Sequence, residues 1–590
     1  MLTGIKKIKT KEKSEDLENN KLEKTDVVRL YRKVIFNFLA CVCIFLFCAS
    51  LAPKELQNDT FYTIKVGQFI NENGVDNLTE DPFSWHELPY TFPHWLYDLM
   101  MYKIYSFGGH FGIYLSTMIF YGILGMLVYR LSLYKSKNEP VSFIVTCAFM
   151  YLIRTYVAAR AQLVTFILFT LEVLFIEKFL DKKKGGILYA FFLLLIPLLI
   201  ANLHCAVFPF YFVLALPYIG EYLLEVIVDW DLDLRLKLLF IKIFKKLLRN
   251  PKLEKLKNKA LASEENTRFD ISERKRKRSI LRSKPYKIKV RKNHRVLLLI
   301  VIMLLATLTG LLNPAGDGAY TYLYKTMQGT TTKSINEHLP VVLAESEEFF
   351  ITLVFFLAIM IFTDTKIRLC DLFMLGGLTY LSLRSRRQIS MFALFTAPIL
   401  AKMIADMFYK YDRITYKKVI DFFSGAYGAT ILILAFILVF FHFAKPKIHA
   451  DYINEREYPV QAAEWMISNL DVDNIRIYND YNFGSYLVLK GIPVFIDSRC
   501  DLYTPEFNGN EKEGIKGRNI FADALDIAAI AVNHNDKFKE YGVTHVISYS
   551  NSKLCLTMDF EPDKYRNIYK DDYFKVYEII TEDSNEGNEK

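Results

Sequence analysis

Cysteine is scarce in this chain, with eight residues among 590. Six of them lie in apolar runs without the spacing of a metal site, which argues against cysteine-based metal chemistry and predicts small core residues. The other two, Cys500 and Cys555, fall near the carboxyl end, and the sequence leaves open whether they pair. The first apolar run, 34–51, lacks a small-residue cleavage site, which predicts a signal anchor with residues 1–33 as a cytoplasmic tail.

Apolar residues, by contrast, are abundant. They make up 52% of the chain, aromatic residues make up 15%, and the mean hydropathy is +0.16. Such a chain is too apolar for one soluble globule and too long for one domain, so we expect a polytopic α-helical membrane protein with soluble parts. About eleven runs have roughly the length of a membrane span: 34–51, 111–131, 141–157, 163–180, 187–203, 206–228, 296–312, 349–362, 369–383, 389–405 and 422–443.

The connectors between these runs predict the orientation. Counting spans from a cytoplasmic amino terminus places four of the connectors on the cytoplasmic side. Most of these four are lysine-rich, as the positive-inside rule requires. They are residues 135–139, 181–184, 364–368 and 410–418. An odd number of spans then places a carboxyl-terminal domain, 445–590, outside the cell membrane, after a transmembrane domain of 34–444.

The longest cytoplasmic connector is strongly basic. Residues 229–295 contain 23 Lys and Arg against eight Asp and Glu, a larger positive excess than the +10 of the whole chain. The first part alternates apolar residues with lysines, which predicts a basic amphipathic helix on the anionic inner leaflet. The run 274–278 (RKRKR) fits either a nucleic-acid contact or a solvated loop beside a membrane; the second is more common, and no nucleic-acid partner is expected.

Three arginines, Arg384, Arg386 and Arg387, lie between two of the apolar runs. In the topology above they are at the outer ends of their helices, where positive charge is normally depleted. A guanidinium group keeps its charge and binds oxygens in pairs, which suits a phosphate. The cluster therefore predicts an anion site. The alternative is a loop on the cytoplasmic side, where a basic run needs no ligand.

The first external loop, 52–110, carries an acidic residue, Asp59, just after the first run, and two further acids, Asp81 and Asp98, among aromatic residues. This arrangement is consistent with a lid and a base for a site at the membrane surface. The alternative is a helix cap at Asp59 and an interfacial belt of aromatic residues. Arg160 and His204 fall at the outer ends of their runs, where ionisable residues suggest function, although His204 also fits a hydrogen bond between helices.

The carboxyl-terminal part alternates helix-like and strand-like runs and contains 26 acids against 17 bases. This pattern predicts a small α/β domain. We expect a helix at 458–470 and strands at 475–478, 486–489, 494–496 and 543–548. Four residues follow predicted strand ends, where α/β sheets often bind ligands; turn-forming acids with a structural salt bridge are the alternative. They are Asp480, Tyr481, Asp497 and Arg499.

Several blocks occur in an order that resembles a known superfamily. The blocks are 59–85, with an Asp followed by aromatics and a DPFSW turn, and 159–163, 201–204, 311–316, 383–388, 479–484 and 494–499. Together they resemble an uncharacterised bacterial family of the glycosyltransferase C superfamily, to which oligosaccharyltransferase catalytic subunits and protein mannosyltransferases belong. The resemblance covers most of the chain except the basic insert and the two ends.

The resemblance implies transfer of a sugar from a polyprenyl-phosphate-linked donor to a glycan, lipid or protein acceptor at the outer face. Such a reaction needs a carboxylate that takes the acceptor's proton and cations that stabilise the lipid phosphate. Asp59 suits the first role by position. The arginines suit the second by charge, namely Arg160, Arg384, Arg386 and Arg387. His204, Asp81 and Asp98 would line the substrate pocket, and Asp480, Tyr481, Asp497 and Arg499 the acceptor side.

The sequence departs from the superfamily at one point. Many members carry two acidic residues one apart in the first loop and use a divalent metal, whereas Asn58 and Thr60 flank Asp59 here. A lone carboxylate is a poor site for a hard cation unless Asp81 or Asp98 folds back to join it, so the cofactor stays unassigned. The rival functions are a lipid or sugar transporter and a non-catalytic envelope assembly protein; a transporter would carry inverted repeats, which are not evident.

Overall fold

The computed structural model describes residues 28, 30–77, 79–90, 93–182, 184–247, 254–283, 288–291, 293–329, 331–509 and 517–580. Most of the predicted cytoplasmic tail, 1–33, lies outside these residues. The described chain is mainly helical, and each of the eleven apolar runs overlaps a helix. In chain order the first seventeen helices are α1 Leu30–Leu51, α2 Asn58–Asn73, α3 Trp95–Ser136, α4 Glu139–Leu152, α5 Ala161–Asp181, α6 Ile187–Leu203, α7 Phe208–Trp230, α8 Leu232–Leu247, α9 Glu254–Ser283, α10 Arg295–Thr309, α11 Gly318–Gln328, α12 Thr331–Ser334, α13 Glu347–Phe362, α14 Leu369–Arg384, α15 Ile389–Tyr411, α16 Arg413–Phe423 and α17 Ala426–Ile448.

Five helical segments among the described residues are long and apolar enough to cross a membrane. They are Leu30–Leu51, Trp95–Ser136, Cys205–Glu225, Arg386–Tyr411 and Ala426–Ile448. Other apolar helices are shorter, among them α4, α6 and α10. The chain is thus a multi-pass membrane protein by its helices, while the count of eleven spans stays a prediction.

Helix α3 has two parts that meet at a kink. Gly109 has φ +58° and ψ −150°, a left-handed conformation that favours glycine, and it interrupts the helix near the predicted end of the first external loop. The part before the kink packs along α2. Gly67 permits this close approach, because a Cβ atom there would lie 2.1 Å from the backbone oxygen of Asp98. The first loop is therefore a packed helical pair.

The carboxyl-terminal domain is a mixed four-stranded sheet covered by short helices. The strand order is β3-β4-β6-β5, with β3 parallel to β4 and the other pairs antiparallel. The strands are β3 Ile477–Asn479, β4 His545–Tyr549, β5 Tyr565–Lys570 and β6 Phe574–Ile579, and the helices are α18 Val460–Asn469, α19 Gly484–Lys490, α20 Pro505–Asn508, α21 Ile520–Ala529, α22 His534–Tyr541 and α23 Lys553–Asp559. Two further strands, β1 Ile288–Lys289 and β2 Ile367–Arg368, pair in parallel near the end of the basic insert.

Two strand predictions are wrong. Residues 486–489 lie inside α19, where a short apolar run is buried in a helix and cannot be told from a strand by periodicity. Residues 494–496 form no strand; Val494 makes a single bridge to Ser84 of the first loop. The helix at 458–470 and the strands at 475–478 and 543–548 are confirmed by α18, β3 and β4.

One apolar core joins the first loop to the carboxyl-terminal domain. The ring of Phe61, on α2, meets the rings of Tyr458 and Tyr486 at 4.9 and 5.3 Å. Beside it, the indole Nε1 of Trp85 donates to the carbonyl of Ile477 at 3.1 Å. Burial of such large rings is a main source of stability, about 1.5–3 kcal/mol each. The loop is therefore built into the domain.

Within the described residues every cysteine is a free thiol, so Cys500 and Cys555 do not pair.

Candidate functional site

A cavity of about 1110 Å³ lies between the helices and the carboxyl-terminal domain. Its walls come from the start of α2, the ends of α5 and α6, the segment 322–338, the junction of α14 with α15, and the loops that follow β3 and precede α20. Seven of the residues predicted for the site line it: Asp59, Arg160, His204, Arg384, Arg387, Tyr481 and Arg499. Residues from distant parts of the sequence thus meet at one level of the molecule.

Asp59 lies in the first turn of α2, after the N-cap residue Gln57. The positive end of the helix favours a carboxylate there. Its Oδ2 is 3.0 Å from Nε of Arg160, and 29% of its side chain remains exposed. The carboxylate therefore forms an ion pair with Arg160 and is still reachable from the cavity.

Arg160, the N-cap residue of α5, has a second carboxylate partner. Its Nη1 lies 3.1 Å from Oε1 of Glu337, in the segment that precedes α13. Burial acts to raise the pKa of Glu337, but Arg160 and then Arg387 outweigh it, so this pKa lies below its ordinary value. Glu337 is therefore charged at neutral pH. The guanidinium group of Arg160 contacts both carboxylates and so links α2, α5 and this segment.

The three clustered arginines have different surroundings. Arg386 forms an ion pair with Glu345 and does not line the cavity. Arg384, at the end of α14, and Arg387, in the following 3₁₀ turn, do line it. Neither makes an ion pair or a side-chain hydrogen bond with any residue that the structure describes. These two guanidinium groups are thus the available positive charge of the cavity.

A chain of hydrogen bonds that the sequence did not reveal lies beside Asp59. Nδ1 of His94 is 2.7 Å from Oδ1 of Asp98, and its Nε2 is 3.0 Å from the hydroxyl of Tyr62. Burial acts to lower the pKa of His94, but the Asp98 carboxylate outweighs it, so this pKa lies above its ordinary value. Tyr62 and His94 line the cavity and Asp98 does not. The available signal was the spacing of His94 and Asp98, four residues apart on one helical face.

His204 also has a structural partner. Its Nδ1 lies 2.9 Å from Oγ1 of Thr165 on α5, so the alternative of a hydrogen bond between helices is present in the structure. Burial, and then the nearby His94 and Arg387, place the pKa of His204 well below its ordinary value. The imidazole is therefore neutral at pH 7 and lines the cavity without adding charge.

Asp81, Asp497 and Arg499 form a buried charge cluster. Nη1 of Arg499 is 2.5 Å from Oδ1 of Asp81, and Nη2 is 2.5 Å from Oδ2 of Asp497. The hydroxyl of Tyr503 donates to Asp497 at 2.9 Å. Asp81 and Asp497 do not line the cavity. This cluster joins the first loop to the carboxyl-terminal domain, as a structural salt bridge does.

The two remaining predicted residues differ in the same respect: Tyr481 lines the cavity and Asp480 does not. Asp480 is partly buried and accepts a hydrogen bond from Ser548; burial raises its pKa to about 6. Tyr481 lines the cavity, and its carbonyl accepts from the side-chain amide of Asn58 at 2.9 Å. Asp501, which the sequence did not single out, lines the cavity and accepts from Thr326 and Thr331 at 3.1 and 3.2 Å.

The described residues do not fit a divalent-metal site around Asp59. Neither Asp81 nor Asp98 folds back to join it, because the first is bound to Arg499 and the second to His94. No group of three or more His, Cys, Asp or Glu among the described residues is arranged to hold a metal ion. A hard cation prefers six or more oxygen ligands. We therefore assign no step to a metal.

Comparison with known proteins gives a match in structure only. No protein-family model and no curated protein matches the sequence. The oligosaccharyltransferase AglB from Archaeoglobus fulgidus, solved with an inhibitory peptide and a dolichol-phosphate, matches at a TM-score of 0.52 and 13% identity, over 88% of this chain and 70% of that one. An oligosaccharyltransferase from the same organism in the apo form matches at 0.50 and 12%, over 87% and 69%.

A third structure, ArnT from Cupriavidus metallidurans bound to undecaprenyl phosphate, covers 92% of this chain and 98% of its own. Its TM-score of 0.46, at 9% identity, is too low to support an inference. The two archaeal structures are sufficient for the fold. Over most of its length, this chain shares its fold with these two archaeal oligosaccharyltransferase structures.

Proposed function

We propose that this protein transfers a sugar from a polyprenyl-phosphate-linked donor to an acceptor at the outer membrane face. One observation carries the proposal. A single cavity at the ends of the membrane helices contains an ion-paired carboxylate, Asp59, and two arginines without carboxylate partners among the described residues, Arg384 and Arg387. These are the two kinds of group that the reaction requires.

In the proposed reaction an acceptor hydroxyl attacks the anomeric carbon of the donor sugar. The bond from that carbon to the lipid phosphate oxygen breaks, and Asp59 takes the hydroxyl proton. The bonding electrons leave with the lipid phosphate, whose added negative charge lies toward Arg384 and Arg387. Arg160 is a positioning residue, because two carboxylates already occupy its guanidinium group.

Arg387 is the better placed of the two phosphate-binding arginines. It is less exposed than Arg384, and its charge affects the pKa values of both Glu337 and His338 in the neighbouring turn. A partly buried cation interacts more strongly with an anion than an exposed one does. The AglB structure contains a dolichol-phosphate, which supports a polyprenyl phosphate as the class of ligand.

The carboxyl-terminal domain provides the other wall of the cavity. Tyr481 and Asp501 come from this domain, and both line the space next to Asp59. We propose that this wall positions the acceptor. In the proposed topology of eleven spans, the cavity and this domain lie on the outer side of the membrane. The basic insert lies on the cytoplasmic side.

The test compares two identical substitutions in the first loop. Asp59→Asn keeps the size of the side chain but removes the proton acceptor, so transfer should fall by a factor of about 10² or more while the donor still binds. Asp76→Asn, at an exposed position that does not line the cavity, is the matched control. A membrane extract that supplies endogenous lipid-linked sugars provides the donor. Transfer by Asp59→Asn at the rate of the control would refute the base assignment.

A further inference from the structure

The basic insert forms a helical hairpin that the cavity does not use. Helices α8 and α9 pack against each other and are joined by ion pairs near both ends of α8. Nζ of Lys245 lies 3.3 Å from Oε2 of Glu264, and Nη1 of Arg274 lies 2.9 Å from Oδ2 of Asp233. One face of α8 is therefore fixed against α9, and its rotation about the helix axis is set.

The opposite face of α8 is apolar and exposed. Its side chains follow the spacing i, i+3, i+4, i+7 and i+8, which places them on one stripe. They are between 45% and 69% exposed: Leu236, Leu239, Phe240, Ile243 and Phe244. Leu234, which is 7% exposed, lies on the side toward α9. A stripe of five large apolar side chains is costly in water and indicates a surface that is covered in the cell.

Basic side chains border this stripe on both sides. At 100° per residue, Lys237 lies along one edge, and Arg235, Lys242 and Lys246 lie along the other. The acid at the start of α8, Asp233, is already paired with Arg274. An apolar stripe between two rows of cations matches the boundary of an anionic lipid leaflet, where acyl chains lie beneath phosphate groups.

The position of α8 in the chain brings it to that boundary. It begins two residues after the end of α7, which continues an apolar segment long enough to cross a membrane. Asp231 between them has φ +45° and ψ 49°, a left-handed conformation that turns the chain. The helix therefore leaves the span at the membrane surface and extends about 24 Å from it.

We propose that α8 is an interfacial helix that binds anionic phospholipid, with its apolar stripe among the acyl chains and its lysines at the phosphates. Helix α9 covers the other side of α8 and keeps the stripe turned toward the lipid. This assignment does not depend on the proposed sugar transfer, and each can fail without the other.

The test uses the full chain in lipid nanodiscs and an aromatic probe on each helix. Phe240→Trp places an indole on the stripe, and Phe269→Trp places one at an exposed position of α9 that is 65% accessible. Emission is compared with that of the parent chain in discs of brominated phosphatidylcholine, with and without phosphatidylglycerol. We expect bromine to quench the added emission of Phe240→Trp, more strongly with phosphatidylglycerol present, and to leave that of Phe269→Trp unquenched.

A charge series separates lipid binding from other contacts. The variant Lys237→Gln/Lys242→Gln/Lys246→Gln, made in the Phe240→Trp chain, should lose about half or more of the quenching that phosphatidylglycerol adds. Lys257→Gln/Lys259→Gln/Lys275→Gln removes the same charge from α9 and should keep it. Equal quenching with and without anionic lipid, or a blue-shifted emission that bromine does not quench, would overturn the proposal; the second result would indicate a protein contact.

Discussion

The guanidinium group of Arg160 holds the carboxylate of Asp59, with Nε 3.0 Å from Oδ2. If this pair acts as one unit, its two members should not contribute independently to transfer. We expect Arg160→Gln to lower the transfer rate by about tenfold or more, and to lower it little further in a chain that already carries Asp59→Asn. Arg154→Gln, which removes a guanidinium outside the cavity, is the control. Fully additive losses in the double variant would contradict the coupling.

Adjacent arginines should differ in their effect on the lipid phosphate. Arg387 lines the cavity without a carboxylate partner among the described residues, whereas Arg386 is paired with Glu345 outside it. Arg387→Gln should therefore weaken binding of a polyprenyl phosphate by about tenfold, and Arg386→Gln by much less. Tryptophan fluorescence or calorimetric titration in detergent would measure both. Equal losses would show that the cluster acts as a diffuse charge.

The buried cluster around Arg499 should be necessary for the stability of the carboxyl-terminal domain. Arg499→Met leaves Asp81 and Asp497 as two uncompensated buried carboxylates, which costs about 3–5 kcal/mol. Arg518→Met removes an exposed ion pair with Glu540 in the same domain and should cost about 1 kcal/mol or less. Thermal unfolding of the two variants would be measured in detergent, with protease sensitivity of residues 79–90 as the readout. Equal melting temperatures for the two variants would be inconsistent with the cluster's role.

Acid should stabilise the carboxyl-terminal domain through Asp480. Burial raises its pKa to about 6 in the folded state, above the ordinary value of 3.8. The folded state therefore binds more protons between these values, so the free energy of unfolding should rise as the pH falls from about 6 to about 4, by roughly 3 kcal/mol at most. Asp480→Asn should remove this slope and stabilise the domain at pH 7.

The control for this pH dependence is Asp526→Asn, at an exposed carboxylate on α21. It should keep the slope of the parent chain, because it leaves Asp480 and its hydrogen bond with Ser548 unchanged. A slope that is the same in Asp480→Asn and in the parent would assign the pH dependence to another group.

The helices of the membrane part could be predicted from the sequence, because each corresponds to a long and continuous apolar run. Runs such as 187–203 and 389–405 are continuous, and the structure has helices at Ile187–Leu203 and Ile389–Tyr411. The amphipathic pattern in the first part of the basic insert likewise predicted α8. Apolar composition and the 3.6-residue period are sufficient for such elements.

The carboxyl-terminal domain was harder because its elements are short. Strand β5 was missed, since three of its six residues, Arg566, Asn567 and Lys570, are polar or charged, and the run 486–489 was assigned to the wrong element. Four apolar residues in succession fit a buried strand or one turn of a buried helix equally well. Packing against the rest of the domain decides between the strand and the helix, and a local sequence pattern carries no information about that packing.

The site shows the same limit at the level of side chains. Asp59, Arg160 and Arg387 were expected at one end of the helices, and the structure brings them into one cavity. The partner of Asp81 was not predictable in the same way. Asp81 is separated from Arg499 by 418 positions, and no pattern in a single sequence links them. The three-dimensional structure was therefore needed to show which acidic residues face the cavity.

The long separation of Asp81 and Arg499 has a consequence for biosynthesis. The first loop leaves the ribosome early, and its partners in the carboxyl-terminal domain are made only after the intervening spans have entered the membrane. During that interval Phe61, Trp85 and Asp81 lack the groups that bury or neutralise them in the finished protein. The nascent loop is thus exposed to chaperones and proteases until synthesis ends, and the cavity is completed last.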